Sequence, residues 1–393
     1  MKISRSESGA LTARSAKSLL NGLYLSVLVL FAGLFYLVST AVILGLIGAA
    51  YFLAAGFTVR GKAVEVLVIA GFLAVLFARG YLKRTPYEPL GVRADATRFP
   101  RLFAALGEVA RNVGTRPADE VFLTPAAGIG VFERSGFLGL FGRSHRVLEL
   151  GVACLHALTL QEFKAILAHE YAHFSSRETL FRRFVARVRV CLNTAKAQLG
   201  ASRFKNLSPV YHTVRVYAFF FRYFSSTFSR QREYHADRLA SECYGGNVLS
   251  SGLIHYACAS ALFQGPAFHG LFRLGMEGRM LRNLYAAFRA YSGTIGPDDV
   301  ERIRRQVLKD RSGLLDFHPC PARRIARIRG VNRVPEPSDE SARAIFEDPG
   351  AVEEELSALL TGRLMGGMGV LDTLRTASAP AGPRQRPDPE DGA

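Results

Sequence analysis

Residues Leu167 to Phe174 read LAHEYAHF, with His169 and His173 four residues apart and Glu170 directly after the first histidine. On a helix, positions i and i+4 lie on one face, one turn apart. Two imidazoles so placed can meet one cation, and zinc takes imidazole nitrogen in a tetrahedral shell. Glu170 sits beside them, in reach of an attacking water. This is the H-E-x-x-H arrangement of two ligands and a general base. The bland alternative is a pair of surface histidines on an amphipathic helix. The surrounding TLQEFKAILAHEYAHF favours the metal reading. It opens with Thr159 and, three residues on, Glu162, the signature of a capping box. Its Phe163, Ile166 and Leu167 form an apolar face, so the pair is expected on a helix docked against a core.

A third protein ligand must come from elsewhere. FSSRETL follows His173 and holds no histidine. SRQREYHADRLA offers Glu233 and Asp237, again four apart on an expected helix. Glu233 would complete a His2Glu set that leaves one position for water. Asp237 would accept a hydrogen bond from a ligand histidine and fix its tautomer. His235 is two residues from Glu233 and points off that face. Glu149, Glu242 and His318 are the next candidates for the third ligand.

The elements that must position these residues lie in the second part of a two-part chain. Of 393 residues, 49% are hydrophobic and 21% charged. The apolar excess concentrates before residue 83. Leu19 to Val59 contains no charged residue, about twice the 20 or so residues that one span needs. A second apolar segment runs from Ala63 to Leu82 after the break at Arg60 to Lys62. The polar start MKISRSESGALTARSAKS is expected not to be a signal peptide, since the apolar run behind it is too long and lacks a cleavage site. Basic residues flank the region on both sides, Lys2, Arg5, Arg14 and Lys17 before it and Arg79, Lys83 and Arg84 at its end. By the positive-inside rule both ends are cytoplasmic, which requires an even number of crossings, about two.

The net charge is +17, from 50 Lys and Arg against 33 Asp and Glu. Such a surplus suits anionic lipid or nucleic acid. No paired-cysteine finger, aromatic RNA-binding signature or helix-turn-helix accompanies it, so lipid is the expected partner and nucleic acid is not. Cys154, Cys191, Cys243, Cys258 and Cys320 lack CxxC spacing and are odd in number, which argues against a disulfide framework and suits a reducing compartment.

After residue 85 the chain reads as globular. ATRFPRLFAALGEVARNV has helical apolar spacing at Phe99, Leu102, Phe103, Leu106, Val109 and Ala110. EVFLTP and RVLELG read as strands, and the Gly-rich AAGIGVFERSGFLGLFGRSH between them as a hairpin loop. Residues 176–230 interleave arginine with aromatic residues. They are either amphipathic helices packed on the domain or a helix on a membrane surface. From about Ala377 the Pro-rich polar tail is expected to be disordered.

With LAHEYAHF, SRQREYHADRLA and FHPCPARRIARI in that order, the chain resembles the integral-membrane zinc metallopeptidases of the HtpX and CAAX-prenyl-endopeptidase type. The last stretch matches that family's His-Pro, followed six residues after the histidine by Arg and then a hydrophobic residue, here His318, Pro319, Arg324 and Ile325. The resemblance implies a mainly α fold with a small β-sheet, a zincin-like metallopeptidase domain preceded by transmembrane helices. It implies one zinc ion held by His169, His173 and Glu233, with Glu170 as base and Asp237 behind a ligand. His318 and Arg324 would sit near substrate or transition state. The family often has an Asn-Ala-aromatic segment before its edge strand; here the place reads TPAAGIGVF. The glycine usual before the second histidine is Ala172, and the further spans found between the second and third motifs in the HtpX-type branch are replaced by a more charged stretch.

The expected organisation is a cytoplasmic tail over 1–18, a transmembrane region over 19–84, a metallopeptidase domain over 85–335 and an extension with a disordered tail over 336–393. The expected activity is zinc-dependent endopeptidase action on peptides or unfolded membrane proteins, in membrane-protein quality control, with substrate paired to an edge strand such as RVLEL. The protein is expected in the cell (inner) membrane, with its catalytic domain on the cytoplasmic side. A prenyl-protein endopeptidase and a non-catalytic membrane scaffold are the alternatives. The first needs a large intramembrane chamber, and the second usually loses a ligand or base that this chain retains.

Overall fold

The computed structural model describes residues 90–134, 145–174, 179–264 apart from 202 and 204, 281–309, 313, 316, 318–331 and 339–366, with isolated positions before residue 52. The expected transmembrane region over 19–84 and the tail beyond 366 therefore lie outside the described residues, those isolated positions aside. Among the described residues, no helix is long and apolar enough to cross a membrane.

The domain is mainly helical around a small mixed sheet. Strands β1 (Val92–Ala94), β2 (Glu120–Thr124), β3 (Ile129–Arg134) and β4 (His145–Gly151) take the order β1-β2-β4-β3. β1 pairs antiparallel with β2, β2 parallel with β4, and β3 antiparallel with β4. The expectation of a bare hairpin loop between EVFLTP and RVLELG is thus corrected: six of its residues form β3. So is the expectation that RVLEL is an edge. It is β4, bonded on both sides, and β3 is the edge strand next to it. Alternation explains the burial. Val121 and Leu123 of β2 and Leu148 and Leu150 of β4 face the core, each about 1% exposed or less, because successive side chains point to opposite faces.

Helix α1 (Pro100–Val113) begins with proline, whose missing N–H is no loss in the first turn, and stops at Gly114 in the left-handed region. It buries the predicted face of Leu102, Leu106, Val109 and Ala110. Helix α2 (Leu160–Ala172) carries the capping box in full, with Thr159 and Glu162 each accepting from the other's backbone N–H. It packs against α1, α4 (Pro209–Tyr244) and α5 (Gly246–Leu262). A helix surrounded this way is buried nearly all round, and Phe163, Leu167 and Tyr171 are fully enclosed.

Helix α3 (Thr179–Gly200) and the first half of α4 form a helical pair with small cores of their own, Val188, Cys191, Leu192 and Phe221 in one and Ala195, Leu199 and Val214 in the other. The second half of α4 enters the main core through Ala236, Ala240 and Tyr244. At 36 residues, α4 is about 54 Å long. It ends because Gly245, at φ 93°, takes a conformation that L side chains rarely adopt, and α5 starts at the next residue.

Helices α6 (Leu284–Gly293), α7 (Pro297–Lys309) and α8 (Pro321–Ile328) follow. The segment expected as an extension folds back into the same core. Its helix α9 (Pro349–Gly366) buries Val352, Leu356 and Leu360. Leu160 donates to Glu340 O at 2.7 Å and Ala342 to Leu158 O at 2.9 Å, tying this segment to the start of α2. Glu353, 2% exposed, accepts from both Arg289 and Arg343.

Candidate metal centre

The site is built where the last turn of α2 crosses the middle of α4, the most extensive contact between two helices in the described fold. His169 points into this crossing from within α2, and His173 caps its end. Arg232 of α4 donates to the terminal carbonyl of His173 at 3.3 Å, which fixes the helix end against the second helix. The negative end of the α2 dipole therefore lies beside the donor cluster, a favourable place for a cation.

Glu233 reaches both histidines. Its Oε1 is 3.3 Å from His173 Nε2 and its Oε2 is 3.5 Å from His169 Nε2. Among the described residues these three form one group of metal-donor side chains, with ligand atoms all within 4.8 Å of one another. The donor set fits zinc. Tetrahedral ligands about 2.0–2.1 Å from one centre stand roughly 3.3 Å apart, and the two carboxylate–imidazole separations match this. Glu170 follows His169 on the same turn, only partly buried. Its charge acts on His173 and on His318.

Electrostatics sort the group into distinct roles. Burial would raise the Glu233 carboxyl, but hydrogen bonds from His169, His173 and His318 hold it well below the usual glutamate range. Burial keeps His173 below the usual histidine value despite Glu233, so its lone pair is available. Burial and Arg324 push His169 down, yet Asp237 and Glu233 prevail and lift it to about 9. A proton and a metal thus compete for this ring, as at any histidine ligand site.

Asp237, one turn beyond Glu233 and 1% exposed, lies 2.9 Å from His169 Nδ1. This leaves His169 Nε2 turned to Glu233. Arg324 of α8 donates to both Asp237 oxygens, Nη2 at 2.6 Å and Nε at 2.9 Å. Its guanidinium is also 3.2 Å from the ring nitrogens of His169. Arg324 therefore stands behind the donor cluster on the aspartate, its side chain only 13% exposed. His318 meets the cluster at Glu233. It is 70% exposed, with Nδ1 3.2 Å from Glu233 Oε2. All seven residues singled out in the sequence are thus brought together. His235 is exposed, and Glu242 pairs with Arg238 on the surface of α4. Glu149 is held in the middle of β4, where burial lifts its carboxyl to about 7.

Nothing in the sequence singles out Tyr256. From α5 its hydroxyl accepts from the backbone N–H of Ile129 at 3.2 Å. That bond anchors the first residue of β3, the strand that lies against α2. The cleft-side edge is thereby held to α5, which packs against the metal-donor helix α2. A lone tyrosine 83 residues beyond Glu170's neighbour His173 carries no local signal for such a contact.

No solved structure matches the chain. Residues 137–332 match the family model of Peptidase family M48. That span begins just beyond β3 and runs through β4, α2, the Glu233 helix, His318 and Arg324, so every donor just described falls within it. By this match, the site-bearing segment is similar to peptidase family M48, a family of metallopeptidases.

Proposed function

We propose that the protein is a membrane-anchored zinc endopeptidase of the HtpX and CAAX-prenyl-endopeptidase type, acting on unfolded membrane proteins from the cytoplasmic side of the cell membrane. The observation that carries the catalytic part is the convergence of His169, His173 and Glu233 at zinc-like spacing, with Glu170 on the adjoining position of α2. When bound there, zinc supplies Lewis acidity and acidifies the attacking water. Glu170 takes the proton from that water and returns it to the leaving amine. Asp237 holds His169 in the tautomer that presents Nε2, and Arg324 holds Asp237. His318, exposed beside Glu233, is placed to donate to the oxygen that gains negative charge.

β3 provides the substrate track. It is an edge of the sheet, β4 occupies its other side, and it runs against α2. A peptide added to it would gain main-chain hydrogen bonds with little sequence preference, as an enzyme for unfolded chains requires. The membrane part rests on the uncharged run Leu19 to Val59 and the basic flanks around it.

The test is Glu170→Gln. The substitution removes a base and no ligand, so the purified variant should retain zinc stoichiometry by elemental analysis and lose casein cleavage. Wild-type cleavage rates in the variant would refute the assignment of the base. Absence of zinc from the wild-type chain would refute the metal centre.

A further inference from the structure

From residue 179 to residue 232 the chain carries eleven Lys and Arg and no Asp or Glu. These residues form α3 and the first half of α4, the arm whose small cores are separate from the main one. Along one flank of the arm runs a groove of about 610 Å³, lined among others by Arg189, Lys196, Arg215, Arg222, Phe219 and Phe220. Its rim is apolar and open to solvent. Val216, Phe219 and Phe220 are 54%, 46% and 45% exposed. They fall at i, i+3 and i+4 and so share one face of α4. Leu207, in the turn between α3 and α4, is 81% exposed. Burial, and after it the neighbouring Arg222, pull the Arg189 guanidinium below its usual range.

Exposed aromatic and aliphatic side chains set among basic ones, in a stretch of sequence that contains no acidic residue, are complementary to an interface that is apolar inside and anionic at its surface. We propose that the α3–α4 arm docks on anionic phospholipid, with Val216, Phe219 and Phe220 in the headgroup–acyl boundary and Lys196, Arg215 and Arg222 on lipid phosphates. Interfacial helices bind this way, by apolar area plus attraction to anionic lipid, and each basic side chain adds about fivefold. The arm lies on the surface and does not cross it, consistent with its charge. Glu233 follows Phe220 by 13 residues on the same helix, so docking would hold the metal centre about 20 Å along α4 from the docked face. The inference rests on neither the peptidase chemistry nor the expected spans over 19–84.

The chain contains no tryptophan, so Phe220→Trp creates a unique reporter at an exposed site. The full-length variant is reconstituted in phosphatidylcholine vesicles with and without phosphatidylglycerol, and quenching by bromine-labelled lipid is read. Strong quenching with a blue-shifted emission is expected only with phosphatidylglycerol, and it should fade as salt rises from about 0.1 M to 0.5 M. Adding Arg215→Gln and Arg222→Gln, both exposed, should lower the ratio of quenched to unquenched protein about twenty-five-fold. A reporter at Tyr291→Trp on α6 should stay unquenched. Equal emission in both vesicle types would overturn the proposal, as would quenching at Tyr291→Trp equal to that at Phe220→Trp. A blue shift with single-stranded RNA and none with vesicles would overturn it too, and would assign the basic face to nucleic acid.

Discussion

Replacing Arg324 by leucine should destabilise the fold before it touches chemistry. Arg324 is enclosed by α4 and α2, and Asp237, 1% exposed, takes both of its donors. Removing the guanidinium leaves a buried carboxylate with only the His169 ring beside it. Breaking a buried pair from one side costs about 3–5 kcal/mol. For a domain of this size, a loss of that order lowers Tm by roughly 6–20 °C. The assay is thermal unfolding of the full chain in detergent with a chelator present, so that metal binding adds no stability of its own. The second arm is Arg324→Leu with Asp237→Leu. Replacing both partners of a buried pair by apolar groups is often neutral or stabilising, so the double variant should melt above either single one. It should nonetheless bind zinc about 10–100-fold more weakly, because His169 has lost the acceptor that orients it. A Tm for Arg324→Leu within about 2 °C of wild type would refute the claim that this pair is desolvated. A double variant with wild-type zinc affinity would refute the orienting role of Asp237.

Glu233→Ala should abolish stoichiometric zinc in elemental analysis, because two imidazoles remain where three donors converged; retained zinc would direct attention to His318, the nearest other donor. Glu353 is held below the usual glutamate range, Arg289 and Asn283 outweighing its burial. A carboxyl depressed on folding contributes stability above its unfolded pKa and loses it as pH falls through the folded value. The Tm gap between wild type and Glu353→Gln, equivalent to about 1–3 kcal/mol, should therefore be present at pH 7 and close in acid. A gap that is constant with pH would show that packing, and not charge, holds α9. Single cysteines at Ser6, Gly61 and Ser378 in a cysteine-free background test the orientation: an impermeant maleimide should label only the Gly61 position in intact cells, and labelling at Ser378 would place the metal centre outside.

Much of the site was legible in the sequence, and for a local reason. Helical periodicity places residues four apart on one face, so His169 with His173, and Glu233 with Asp237, could be paired off without coordinates. The capping box at Thr159 and Glu162 is equally local, and α2 starts where it says. Strand identity was less legible. Six residues of a Gly-rich stretch form β3, because pairing with β4 and the Tyr256 bond supply what their own propensities do not. Which strand is the edge depends on order in the sheet, and β2 pairs with β4 across the intervening β3 in sequence. Only the tertiary structure decided that Arg324 faces away from the cleft onto Asp237 while His318, six residues earlier, stays in the open beside Glu233. Both belong to one short motif, but α8 begins between them and its packing against α4 sets Arg324 on Asp237 and leaves His318 beside Glu233. The joining of residues 341–366 to the core was likewise unreadable, since it rests on Glu353 meeting Arg289 some 64 residues away. Short-range spacing is written in the chain, whereas contacts across such separations exist only once the helices have packed.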